Sequence, residues 1–453
     1  RNFPDATGSK ESEPIVKIRH RAKSLCDSKM DDHRDRISLL PDDFLLQILS
    51  WLPMKDVMVT SSLSKRWRFL WTLVPRLSFD LSLHGNTYPK FKTFVDRSLL
   101  LHKAPTLEGL DIKIGSVCNA DVDIGVWVRI AVDRCVRELS ISYCSGEEPI
   151  RLPKCLFTCK TLVVLKLENM SLLDASSYVC FQSLKTLHLL DVKYLDEQSL
   201  PQILSCCSSL EDLVVQRCPG DNLKIVTVNA MCLRTLSLQK SSQDFEGDDD
   251  GFLIDAPKLK CLDIEDYWGC FCYVENMPEV VEANVDVIYK NTEKLLGSLT
   301  SVKRLSLCLI TSDAAYPAGT IFSQLVHLKL CTCAPRWWEL LTRLIEDSPK
   351  LQVLVLRQKH IRRAPSPRAI WKQPVSLRKG LLSDLTIFKW ELYEGSQEQK
   401  EVAIFILKHA TRLKKAFISP KSTSTLLEKH EMLKELSSSR RGSSSCELLF
   451  DCT

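Results

Sequence analysis

Long apolar runs, glycine and net charge are all scarce in this sequence, and each scarcity removes a class of function. No stretch of about 18 or more consecutive apolar residues occurs, so no membrane-spanning helix and no membrane partner are expected. Glycine numbers only 15 among 453 residues, and none form a G-x-G-x-x-G turn or a G-x-x-x-x-G-K loop that would cradle a phosphate. G-x-S-x-G and H-E-x-x-H are absent as well, and the 9 histidines are scattered, which leaves no catalytic residue and no cofactor to nominate. The formal net charge of +5 comes from 61 basic and 56 acidic side chains mixed along the chain, so no nucleic-acid stripe stands out and the partner is expected to be protein. No charged-then-apolar leader opens the sequence, which starts at Arg1 and not at methionine, and an intracellular setting, nucleus and/or cytoplasm, is the expectation. Residues 1–34 are polar and mixed in charge and read as a solvated tail.

Within Asp35 to Asp80, DRISLLPDDFLLQILSWLPMKDVMVTSSLSKRWRFLWTLVPRLSFD, the pattern predicts three short helices with explicit stops. Pro41 starts the first, Asp42 and Asp43 suit its exposed amides, and Phe44, Leu45, Ile48, Leu49 and Leu52 follow helical spacing before Pro53. A second apolar run begins at Val57, and Leu63, Trp67, Leu70 and Trp71 share one face of a third helix that Pro75 stops. On pattern alone this is either a helical cap for a larger domain or a unit whose apolar surface asks for a partner. The phrases LPDD, ILSWLP and LSKRW resemble the F-box of plant F-box proteins almost without gaps over residues 35–80, with Phe44 where that family usually has leucine. The resemblance implies docking on the Skp-type adaptor of a cullin–RING ubiquitin ligase through Leu40, Pro41, Phe44, Ile48, Leu52 and Trp67. Apolar anchors at helical spacing are what a helix-in-groove interface needs.

From about residue 105 the unit L-x-x-L-x-L recurs every 21 to 29 residues or so: Leu107-Leu110-Ile112, Val136-Leu139-Ile141, Leu162-Leu165-Leu167, and onward to Leu351-Leu354-Leu356, with a degenerate copy at Val280-Ala283-Val285. That period is the leucine-rich-repeat period, in which each unit adds one strand and a returning segment to a solenoid, here over residues 81–360. The leucines at period two should face the core and the residues between them should form an outer recognition face. Lys166, His188, Lys303, Arg304, Lys329 and Arg357 are the candidate substrate contacts on it. Trp337 and Trp338 precede a helical apolar face and are expected to be packing.

The 19 cysteines are spread through a long chain without a secretory signal, which argues for free thiols. Cys144, Cys218 and Cys333 fall at the turn position of the repeat. The pairs Cys206/Cys207, Cys270/Cys272 and Cys331/Cys333 lack the C-x2-C spacing of zinc sites, so no metal site is assigned. The acidic stretch Asp244 to Asp250 lacks EF-hand spacing and reads as a solvated insertion.

After Leu356 the rhythm changes. Residues 361–374 are basic and carry Pro365, Pro367 and Pro374, marking a linker. Residues 375–453 then read strand (Leu385 to Leu392), a turn at Gly395, helix (Val402 to Leu413), strand (Ala416 to Ile418), helix (Leu426 to Leu436) and strand (Glu447 to Phe450). Trp371, Pro374, Gly395 and the ILKHATRL helix resemble the FBD domain, although Ser376 and Gly380 replace the usual proline and cysteine.

The expected architecture is therefore α/β: an N-terminal three-helix F-box, a leucine-rich-repeat solenoid and a small α+β C-terminal FBD-like domain. The resemblance implies a non-catalytic, substrate-recognition subunit of a Skp–cullin–F-box ubiquitin ligase. It would bind the Skp adaptor, and through it cullin and RING subunits, by the F-box, and an unknown protein substrate by the repeats. A scaffold without a ligase, and a small-molecule receptor on the concave repeat face, remain open on the sequence alone.

Overall fold

The L-x-x-L-x-L units fold as parallel strands that pair in register along one 15-stranded sheet. This computed structural model describes residues 37–450 apart from 38, 86, 116–122, 145–148, 173–179, 241–249, 268, 270, 289–291, 310–315, 317–318, 335–336, 361–381 and 423. The tail 1–34, the basic linker, Trp371, Pro374, Ser376, Gly380 and all of the acidic stretch but Asp250 lie outside the described residues.

Register explains why the leucines recur. Leu139 aligns with Leu110 and Leu165, and Ile141 with Ile112 and Leu167, so each repeat adds one residue to each of two buried columns. Every leucine, isoleucine and valine of the repeats quoted above is buried. Each such side chain contributes about 1.5–3 kcal/mol by leaving water. The first of the motif's apolar positions, for example Leu162 or Leu325, sits just before the strand and closes the turn into it.

Parallel neighbours need a crossover, and the returning segments supply it in different forms. Helices Tyr88–Leu101, Gly125–Asp133, Ser199–Ser205, Glu293–Ser298 and Trp337–Glu346 serve some repeats. Between them, strands Ile225–Asn229, Gly251–Asp255 and Phe271–Asn276 form a separate three-stranded sheet instead. Asn169 and Asp191 take positive φ of 55° and 53° at strand exits, a conformation these two residue types tolerate.

The sheet extends beyond the repeats at both ends. Arg76–Asp80, the last residues of the F-box segment, is already a strand, with Leu77 and Phe79 aligned to Leu110 and Ile112. At the other end Ile387–Tyr393 pairs with Val353–Arg357, placing Phe388 and Trp390 in the leucine columns, and Lys415–Pro420 and Glu447–Phe450 follow. The strands and helices anticipated after Leu385 all form, and they continue the solenoid because helices Gln397–His409 and Leu426–Ser437 act as two more crossovers. Trp337 and Trp338 are buried as expected, and Trp337 meets Trp390 edge-on at 5.8 Å, linking the last repeats to the C-terminal strands. Gly395 turns at φ 70°, and a Cβ there would lie 2.8 Å from the Met432 methyl, so both backbone and packing require glycine.

The third F-box helix differs from expectation. Helices Asp42–Leu49 and Met54–Thr60 form, each with a proline at its N-cap, but the following segment runs as turns into a short 3-10 helix at Leu70–Leu73. Thr60, Ser61 and Ser62 direct their hydroxyls back to the carbonyls of Val57, Met58 and Val59, which satisfies the helix end and competes with continuation. Asp250 also departs from its expected solvated role: it is buried and its carboxylate lies 3.1 Å from Lys240 Nζ. Lys240 aligns with Arg217 on one neighbour and Asp266 on the other, and Arg217 makes a bidentate pair with Asp221, so a buried ionic ladder replaces apolar residues at these strand ends.

Candidate functional site

Two surfaces of opposite chemistry carry the candidate residues. On the F-box, helix Asp42–Leu49 turns Leu45 and Leu49 inward and leaves Phe44 (56% exposed) and Ile48 outside, with Leu52 exposed in the turn that follows. Met54 and Val57 seal the second helix in the same way. Arg66 ties the segment together, bonding the Asp42 carboxylate at 2.6 Å and the Leu40 carbonyl. Leu40 is half-buried and Pro41 is exposed, so five of the six expected adaptor contacts reach the surface. Trp67 does not. It is 7% exposed and belongs to the same core as Leu45, Leu49 and Leu70, because the turns that replace the third helix direct its ring inward. The exposed apolar face is also wider than the motif suggested, since Trp51 (75% exposed), Val59, Leu63 and Phe69 extend it. Trp51, Val59 and Phe69 are present in the sequence as apolar residues off the helical stripes, whereas Leu63 falls on the face expected of the third helix.

The sheet's outward columns form the second surface. Lys166 and His188 are aligned on adjacent strands, and His188 Nε2 lies 3.0 Å from Asp212. Arg304 aligns with His327, and Lys329 with Ser306 and Val355. Lys303 lies elsewhere: its N–H donates to the Val281 carbonyl in the turn before the strand, placing it just ahead of the start of an inner strand. Polar residues on this face bond to their neighbours across strands. Arg76 pairs with Glu138, Asp263 accepts from Ser237 and Asn284, and Glu391 lies 3.5 Å from Lys329 and 3.4 Å from Arg357. The bond from Arg76 holds the Glu138 carboxyl below its usual range, against some burial. Burial, with Arg304 nearby, lowers His327 and keeps it neutral at physiological pH.

Charge that looks evenly mixed in sequence is sorted in space. Asp263, Glu265, Glu282 and Asp286 occupy two adjacent strands, while Arg304, Lys329, Arg357, Lys389 and Lys415 follow on later ones. Lys359 and His360 reach back to the acidic strands: Lys359 Nζ is 2.5 Å from Asp286 and 3.4 Å from Glu265, and His360 Nε2 is 3.0 Å from Asp286. Burial opposes the Lys359 charge, but the hydrogen bonds and negative charges of Asp286 and Glu265 together outweigh it and raise its pKa. Beside Asp286, Cys308, Cys331 and Cys333 come together, with Cys308 and Cys333 sulfurs 3.4 Å apart. The Cys331 thiol is pulled down by the Cys308 and Cys333 thiols beside it, against its burial. Of the three repeat-turn cysteines, Cys144 is exposed and only Cys218 points its thiol at a neighbouring turn carbonyl, that of Val192.

An open groove of about 890 Å³ lies where the turns enter the early strands, walled by residues that include Glu108, Arg137, Lys160 and Lys185. None of the six candidate substrate contacts is among its walls. No described helix is long and apolar enough to cross a membrane.

Comparison with known proteins places these surfaces. An F-box domain model matches residues 37–79, the LRR repeats of FBD-associated F-box protein At5g56370 match 124–282, and an FBD model matches 373–418. The F-box/FBD/LRR-repeat protein At5g56420 of Arabidopsis thaliana is 82% identical over 423 residues, covering 93% of this chain and 100% of the relative. The probable FBD-associated F-box protein At1g32375 and the F-box/FBD/LRR-repeat protein At4g26340, both from Arabidopsis thaliana, are each 46% identical over 92% of this chain and 100% of their own length.

Proposed function

As the chain belongs to the plant family of F-box proteins that combine leucine-rich repeats with an FBD region, we propose that it is the substrate-recognition subunit of a Skp–cullin–F-box ubiquitin ligase. F-box proteins as a class act in such ligases as adaptors. Here the F-box binds the Skp adaptor, cullin and RING subunits join through it, and the sheet face holds a protein substrate inside the cell. The chain supplies proximity, and the chemistry belongs to the other subunits.

The observation that carries this reading is the F-box face. Phe44, Ile48, Trp51, Leu52, Val59, Leu63 and Phe69 are each exposed, while the inward side chains of the two F-box helices are sealed into the sheet core. An apolar surface of that extent on a folded chain marks a binding partner. Titration of the purified chain with a plant Skp-type adaptor should give a stoichiometric complex that Phe44→Ala combined with Ile48→Ala abolishes. Undiminished affinity in that double variant would refute the interface, and co-purification without cullin peptides would leave a scaffold in place of a ligase subunit.

A further inference from the structure

The geometry points to a metal site that ligand spacing in the sequence conceals: one zinc ion held by the sulfurs of Cys308, Cys331 and Cys333, with the fourth ligand from the Asp286–His360 pair. The ligand atoms of the three cysteines lie within 4.8 Å of one another, and so do those of Asp286, Cys308 and His360. Cys308 is common to both groups, so an ion among the sulfurs has the carboxylate and imidazole as its adjoining wall.

Sheet register builds the cluster. Asp286 aligns with Cys308, and the alignment of Leu307 with Leu330 puts Cys331 beside Cys308 on the next strand. Neighbouring strands are about 4.8 Å apart, which is already close to a ligand–ligand distance. Cys333 then folds back two residues beyond the strand to within 3.4 Å of Cys308. That separation exceeds a disulfide bond of about 2.05 Å. It is near the sulfur–sulfur edge of about 3.8 Å that four bonds of about 2.3 Å impose around tetrahedral zinc.

Ordinary packing does not account for the arrangement. All three cysteines are buried, yet they form a cluster of their own, separate from the leucine core. They sit on the polar face of the sheet beside a carboxylate that is only 2% exposed. Lys359 donates its backbone N–H to Cys331 at 3.4 Å, and Tyr267, Lys359 and His360 all converge on Asp286. These are the outer contacts that orient ligands around a metal. Three soft thiolates with one nitrogen or oxygen donor select zinc over the hard cations. The ion would pin the segment after strand Val353–Arg357 onto strands Glu282–Val287, Arg304–Leu309 and His327–Cys331, bracing the sheet where its charge changes sign.

The test uses the full chain, purified without a polyhistidine tag in reductant, equilibrated with zinc chloride, dialysed against metal-free buffer and measured by elemental mass spectrometry. One zinc per chain is expected. Replacing Cys308, Cys331 and Cys333 together by serine should remove it, whereas replacing the exposed Cys144 and Cys261 should not. Asp286→Asn or His360→Ala, whichever is the ligand, should weaken retention by about tenfold or more. Cobalt substitution of the parent gives a readout that does not depend on the variants folding, since tetrahedral thiolate ligation produces intense visible and near-ultraviolet bands. A parent that retains no zinc and shows no such bands, a triple variant that retains zinc, or copper retained in its place would overturn the assignment.

Discussion

The F-box helices and the outer face of the sheet expose their side chains on opposite terms. The F-box leaves large apolar groups in water beside the Arg66–Asp42 pair that ties the segment together. The sheet face exposes polar groups that already bond to one another, such as Arg76 with Glu138 or Glu391 with Lys329 and Arg357. An apolar face is uncomfortable until covered and suits one constant partner. A self-paired polar face is comfortable in water, and any partner must replace its internal bonds, which gives selectivity more than affinity.

The comparison is sharpest if both faces belong to one folded body, and Trp390→Ala tests that with the largest expected effect. Removing a buried tryptophan that meets Trp337, Phe388 and Tyr393 should cost about 3–5 kcal/mol. Calorimetry should show the loss spread through the repeats; a destabilised C-terminal transition beside an unchanged main one would separate the two bodies.

Next in size, Trp67→Ala and the surface pair Phe44→Ala with Ile48→Ala should part company. Trp67 lies in the core, so its loss should lower the melting temperature and weaken adaptor binding only through unfolding. The surface pair should leave the melting temperature nearly unchanged and cost about 2 kcal/mol or more of adaptor affinity. If Trp67→Ala reduced affinity without affecting stability, the ring would have to reach the adaptor after all.

Smaller still, Glu391→Lys sets a like charge against Lys329 and Arg357, and reversal of Arg304 and Lys329 changes the basic strands directly. Stability should fall by less than about 1 kcal/mol, as for exposed pairs generally. Adaptor affinity should hold while the co-purifying partners change. An unaltered partner profile would assign recognition elsewhere, and Arg412, paired with Asp384 in the C-terminal region, would be the next residue to reverse.

The smallest effect concerns acid. The folded Glu138 carboxyl titrates below its ordinary value of 4.5 because Arg76 binds its charged form. Its contribution is present above that value and disappears as pH falls through the lowered one. Both partners are about 40% exposed, so the term is a fraction of a kcal/mol. Glu138→Gln should flatten that part of the stability profile below pH 4.5 without altering adaptor binding.

Strand and turn positions were legible because they depend on near neighbours. The period-two leucines, the proline at 41 and the glycine at 395 act within a few residues, and each appears where the pattern put it, whereas Pro53, expected as the stop of the first helix, caps the start of the second. Lys303 was misplaced because the motif does not say where a turn ends and a strand begins. The third F-box helix failed because three hydroxyl residues satisfy the preceding helix end, a local effect that apolar spacing does not register.

By itself the sequence determined the order of elements, the buried columns and the family resemblance, since these follow from periodicity and short motifs. Tertiary structure decided what lies across strands. Residues 286, 308 and 331 each follow the last apolar residue of their repeat, 22 and 23 residues apart, and in-register pairing of successive repeats sets them side by side, while Cys333 joins them through a turn. The same pairing carried the sheet into the F-box and through the C-terminal region, and it sorted the acidic strands from the basic ones. The repeat period brings equivalent positions onto neighbouring strands, but which residues from outside the strands meet them, as Cys333, Lys359 and His360 do here, depends on how the turns fold back.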